Sequence, residues 1–224
     1  MAEFLLNALT TLLVTIDPIG LAPIFLALTR DASPAMRRAI AVRAAVIASV
    51  ILVVFMLAGT TILTVLGISL PAFRIAGGLL LFWIAFEMVF EKREKRKADS
   101  AASARAQFMG GTPGQHVEDL RHLAVFPLAI PLIAGPGAIS ASILMATQAT
   151  SPLALAALVL LAVAVIMSCL AIFVAAERID RLLGETGRSV LTRLLGVLLA
   201  ALAVQFVADG IATLAHAAAR PGPA

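Results

Sequence analysis

An acidic residue inside an apolar run is the first candidate for chemistry. Asp17 stands in Ile16-Asp17-Pro18-Ile19-Gly20-Leu21-Ala22-Pro23-Ile24-Phe25, with no other charge between Phe4 and Thr29. An ionisable side chain at that depth of an apolar segment suits a proton carrier, a sodium ligand or the partner of a substrate amine. A local reading is equally open: Asp before Pro is a standard helix start, with the carboxylate accepting backbone N–H groups. The two are compatible, because a capping carboxylate still faces a cation. The second candidate is a run without charge, Pro127-Leu128-Ala129-Ile130-Pro131-Leu132-Ile133-Ala134-Gly135-Pro136-Gly137-Ala138-Ile139-Ser140. Proline lacks an N–H and crowds the preceding turn, while glycine accepts unusual dihedrals, so both stretches are expected to interrupt their helices. A simple kink is the alternative. Broken half-helices would aim free N–H groups and positive dipole ends at an anionic group such as a carboxylate.

The elements that hold these residues are membrane spans. Of 224 residues 61% are hydrophobic and 13% charged, with mean hydropathy +1.04, about half the charge of a soluble domain. An ordinary water-soluble globule is excluded, and the lipid bilayer becomes the first partner. Apolar runs predict six helices, over 4–29, 44–66, 70–90, two within 123–176 separated at Ser151-Pro152, and 190–213. A β-barrel needs alternating polarity that these runs lack. The one cysteine, Cys169, leaves no intramolecular disulfide. The N-terminus has neither a basic region nor a cleavage signal, so no cleaved leader is expected.

Basic residues set the orientation. Fifteen of seventeen lie in the loops after helices one, three and five, leaving Arg74 and Arg220 opposite. The positive-inside rule then puts those loops in the cytoplasm and both termini outside. The connector 91–122 opens with Glu91-Lys92-Arg93-Glu94-Lys95-Arg96-Lys97. We read it as a solvated, flexible link that fixes topology, with a patch for anionic head groups or nucleic acid as the alternative; no nucleic-acid partner is expected. Gly110-Gly111-Thr112-Pro113-Gly114 is followed by Gln115 and His116, so it is not a phosphate loop.

The halves resemble each other. Pro18 and Pro136 lie 118 positions apart; Arg74-Ile75-Ala76-Gly77 and Arg193-Leu194-Leu195-Gly196 lie 119 apart, each after a Leu-Gly pair. Three spans per copy invert the second, so the chain divides into repeats over 1–90 and 123–224 around the connector. Matched Gly/Pro interruptions in inverted copies point to a transporter site near the bilayer midplane. The residues expected there are Asp17, Pro18, Gly20, Pro23, Gly135, Pro136, Gly137, Ser140 and Gln205, with Thr10, Thr11, Thr15 and Ser142 as further neutral hydrogen-bonding groups. Asp209 and Arg74 are placed to pair, and Glu87 to reach water. Gly77, Gly78 and Gly196 are expected to permit close helix contacts. His116, His122 and His216 lack ligand spacing, and no metal or cofactor is expected.

Asp17-Pro18-Ile19-Gly20 with Pro23 and Phe25, Arg74-Ile75-Ala76-Gly77-Gly78, the block 127–139 and Val204-Gln205-Phe206 occur in this order along the whole chain. Together they resemble the MarC family of six-span bacterial inner-membrane proteins, which includes small neutral amino-acid transporters and is distantly similar to the LysE exporters. Leu21 and Asp209 depart from the asparagines that many members carry. The resemblance implies secondary transport of a substrate such as alanine or glycine, with direction, coupling ion and oligomeric state left open and a homo-oligomer compatible. No nucleotide motif is present, so a gradient would drive it. A membrane sensor or assembly protein is the rival reading. No enzyme is expected: Asp17 and Asp209 sit at different depths, and neither His-Glu-x-x-His nor Gly-x-Ser-x-Gly occurs.

Overall fold

The computed structural model describes residues 1–30, 32–108 and 122–218. Among them every regular element is helical: α1 (Ala2–Ile16), α2 (Pro18–Leu28), α3 (Pro34–Val65), α4 (Leu70–Val89), α5 (Lys92–Phe108), α6 (Ala124–Ile133), α7 (Pro136–Thr147), α8 (Pro152–Val174) and α9 (Ala176–Ala218). Five helices are long and apolar enough to cross a bilayer, counting the 27 residues Ala2–Leu28 as one span; the bent pair α6 and α7 makes a sixth if taken together. The stretch 110–114, His116, Arg121 and Arg220 lie outside the described residues.

A serine with a proline one or two residues on starts three of these helices. Ser33, Ser69 and Ser151 are N-caps whose hydroxyls accept from Met36, Ala72 and Ala154 N–H at 3.3, 3.4 and 3.2 Å; Pro sits in the first helical turn each time and has no N–H to leave unbonded. Ser151 therefore divides the run 123–176 as expected. The helix expected over 44–66 begins ten residues earlier, at Pro34. Arg37, Arg38 and Arg43 bar that stretch from hydrocarbon but not from helix, and the cap decides where the helix begins. In α9, Gly184 adopts φ 60° and ψ −176°, and the apolar span runs Thr186–His216 beyond it.

Small residues bring α4 and α9 together. A Cβ added at Gly78 would lie 2.9 Å from the Ala203 carbonyl; at Gly196, 3.1 Å from that of Ala85; at Gly210, 2.9 Å from that of Pro71. Gly77, expected in the same role, instead faces Leu144 and Ser140 of α7. Gly78→Leu should force the two backbones apart and cost roughly 1–3 kcal/mol. Thermal unfolding in detergent should show a clear fall in Tm, while Val54→Leu, at a half-exposed α3 position, should leave it unchanged.

The connector departs from expectation. α4 ends at Val89, and two residues on the chain turns at Glu91 through φ 59°; Ser189 and Arg193 bond its carboxylate. These two hydrogen bonds hold the Glu91 carboxyl below its ordinary pKa. α5 then folds back against α2, α4 and α6. Arg93 and Lys97, four residues apart and so on one helix face, are only 5% and 7% exposed. These two cations belong to the interior and not to a solvated link.

Candidate functional site

Both expected interruptions are present. Asp17 stands between α1 and α2 in the left-handed conformation, φ 58° and ψ 66°, a conformation Asp tolerates better than most residues. Its N–H still reaches the Leu13 carbonyl at 2.9 Å, and its Oδ1 accepts the Gly20 N–H at 3.1 Å. The capping reading of Asp17 is thus observed, and it explains Gly20: a Cβ there would collide with the folded-back Asp17 carboxylate. The helix restarts at Pro18 and runs through Pro23 without a second break.

The break leaves acceptors behind. The Val14 carbonyl would meet the nitrogen of residue 18, which in proline carries no hydrogen, and Thr15 is the next to lose its partner. Orphan carbonyls cannot face lipid. Arg93 supplies the missing donors: Nη1 donates to Val14 O at 3.5 Å and Nη2 donates to Thr15 O, while Met88 Sδ lies 2.9 Å from Nη1. One turn further along, Lys97 Nζ lies 3.6 Å from Asp17 Oδ2, an ion pair too long for a hydrogen bond. Burial lowers the pKa of both cations, Lys97 to about 8, against the opposing pull of Asp17. Glu87 does not reach water: it is 5% exposed, accepts from Trp83 Nε1 at 3.1 Å and pairs with Arg96 at 2.8 Å.

The second break lies alongside. α6 is a segment of wide turns in which Phe126 and Ile130, each before a proline, are extended, as the residue preceding proline prefers. Gly135 then caps α7 with no side-chain hydrogen bond, and Pro136 opens it; α6 and α7 diverge by 56°. A Cβ on Gly137 would meet the end of Ile84 and lie 3.2 Å from Thr15 Cγ2. Glycine is what lets the start of α7 touch the end of α1.

Between the two breaks is a cavity of about 270 Å3. Thr15 and Ile84 form one wall, Pro131 to Ile133 and Gly135 to Ala138 another, and Arg93, Arg96 and Lys97 a third. Ile84 lies five residues before the end of α4, about 7.5 Å at 1.5 Å per residue, so the cavity sits towards the basic connector and not at the centre of the span. Of the residues expected in the site, Gly135, Pro136 and Gly137 line it. Asp17, Pro18 and Gly20 are buried but do not line it; Asp17 is linked to it through Lys97. Pro23 is half-buried within α2, and Ser140 is half-buried a turn further into α7, beside Gly77. Gln205 is exposed on α9 and donates to Asp209 Oδ1 at 2.8 Å; Asp209 has that partner and not Arg74, the one expected. The hydroxyls of Thr10, Thr11 and Thr15 are committed to carbonyls four residues back, at 2.9, 2.7 and 2.5 Å. Among the described residues no group of three metal-ligating side chains occurs.

Broken apolar helices meeting at a charged interior cavity define a multi-pass integral membrane protein. Residues 2–215 match the family model described as "MarC family integral membrane protein", and the chain belongs to that family. Its relatives include a UPF0056 membrane protein of Archaeoglobus fulgidus, 38% identical over 215 residues and covering 94% of this chain and 93% of the relative. The UPF0056 membrane protein YhcE of Escherichia coli is 33% identical over 203 residues, covering 89% and 88%. No solved structure matches the chain.

Proposed function

We propose that the protein is a secondary transporter of small neutral amino acids such as alanine or glycine, seated in a bacterial inner membrane with both termini periplasmic, and that it performs no covalent chemistry. The observation that carries this reading is the meeting of the two helix breaks at one small cavity that three cations line within an apolar bundle. Discontinuous segments at corresponding places are how transporters present backbone groups to a solute. Residues 1–90 and 123–224 act as inverted repeats, one contributing the Asp17 break and the other the Gly135-Pro136-Gly137 break. The uncapped start of α7 takes the carboxylate, and Asp17 serves the coupling cation when Lys97 releases it. The connector side is the cytoplasmic side, as the fifteen basic residues argue.

The test is flux of labelled alanine and glycine into proteoliposomes under a proton or sodium gradient. Uptake above protein-free vesicles is expected, and Asp17→Asn should reduce it at least about tenfold, the scale of one lost buried charge interaction. If a broad panel of small solutes shows no flux, the sensor or assembly reading takes its place.

A further inference from the structure

The cavity's charge is one-sided. Three cations line it, and two described carboxylates pair with them: Asp17 with Lys97 and Glu87 with Arg96. Three positive groups against two negative ones leave one charge uncompensated among the described residues. Arg93 is committed to backbone carbonyls and Met88. Lys97 is the least committed of the three: its ammonium is buried with no hydrogen bond, and its ion pair with Asp17 is 3.6 Å long, loose enough to admit a second carboxylate. Opposite it, α7 is twelve residues long and opens on Pro136, Gly137 and Ala138 with no side-chain cap. The N–H groups of a helix's first turn have no partner in their own helix, and together with the helix dipole they favour a negative group.

We infer that the cavity selects its ligand by the carboxylate alone, so that small monocarboxylates lacking an amino group are ligands alongside the amino acids. One carboxylate would bridge Lys97 Nζ and the Gly137 and Ala138 N–H groups, and it would neutralise the surplus charge. An ammonium finds no counterpart among the described residues, where no acidic side chain lines the cavity and Asp17 is held by Gly20 and Lys97. This rests on the transport reading only for the route the ligand takes, since a carboxylate site can exist without transport. Lys97 also gives the site a pH dependence. The charged groups facing it are Asp17 from the α1/α2 break and Arg93 on its own helix, with the Cys169 thiol of α8 as the other titratable neighbour. Its ammonium is charged below about pH 8, so a carboxylate binds there and is released as the pH rises through that value.

The experiment is binding to the full-length protein in nanodiscs by calorimetry, with propionate, alanine and ethylamine as probes. Propionate and alanine are expected to bind competitively and ethylamine not at all, with propionate affinity falling roughly tenfold between about pH 7 and pH 9. Lys97→Met should weaken propionate at least about tenfold. Arg96→Gln, a change at a half-exposed side chain whose partner Glu87 retains its hydrogen bond from Trp83, should weaken it several-fold, with folding checked by thermal unfolding. Alanine binding without propionate competition overturns the inference and leaves the transport reading standing. Propionate binding with no amino-acid flux in liposomes keeps the inference and overturns the transport reading. Propionate binding unchanged by both substitutions, or absent altogether, also overturns the inference.

Discussion

Arg93→Ala is expected to destabilise the protein by roughly 2–4 kcal/mol, since each orphaned buried acceptor costs about 1–3 kcal/mol and the relief of burying a guanidinium returns part of that. The substitution leaves the Val14 and Thr15 carbonyls without their side-chain donor in an apolar interior, and among the described residues no other side chain donates to them. Arg93→Lys should recover only part of the loss. A guanidinium addresses two carbonyls at once with a rigid fork, whereas an ammonium is a single point. Thermal unfolding in a mild detergent, with intact α5 confirmed by limited proteolysis, checks both variants. An Arg93→Ala protein as stable as wild type would mean that the connector helix does not satisfy the break.

The second large effect concerns Asp17 and Lys97, which are 2% and 7% exposed. Breaking a buried pair from one side leaves an uncompensated charge and costs roughly 3–5 kcal/mol, while replacing both partners together often costs little. Asp17→Ala carries an additional loss, the cap on α2, of about 1 kcal/mol. Asp17→Asn keeps a side chain able to cap and isolates the charge, so the informative cycle is Asp17→Asn, Lys97→Met and the double variant. The double variant is expected to be more stable than either single one, with a coupling of at least about 1 kcal/mol. Additive losses would show that the 3.6 Å pair contributes no coupling.

Much of this arrangement is legible in the sequence because its causes are local. Pro18 and Pro136 lack the hydrogen that would continue a helix, so both interruptions follow from residue type, and Ser151-Pro152 marks a helix start for the same reason. The membrane spans follow from apolar length. The partner of the first break was not legible by that route. A run such as Lys92-Arg93-Glu94-Lys95-Arg96-Lys97 reads as solvated when charge is counted, because counting does not ask which acceptors elsewhere lack donors. Two signals were present: Arg93 and Lys97 share a helix face at a spacing of four, and the Asp17-Pro18 break obliges some distant group to donate to Val14 and Thr15. Gly20 could likewise have been assigned from the cap, since an Asp that folds back on the third residue beyond it needs space there. Polarity alone places Gln205 in the site and pairs Asp209 with Arg74, but four residues apart on one helix Gln205 and Asp209 satisfy each other at an exposed face.

The central claim is that the two interruptions abut at one cavity. Its most direct test is a cysteine pair, Thr15→Cys with Gly137→Cys, in a Cys169→Ala background, because a Cβ on Gly137 lies 3.2 Å from Thr15 Cγ2 and a disulfide joins Cβ atoms about 3.5–4.5 Å apart. After mild oxidation and tryptic cleavage in the basic connector, the two halves should stay joined on a non-reducing gel and separate with reductant. Halves that separate under both conditions, in protein that otherwise folds and inserts, would contradict the account.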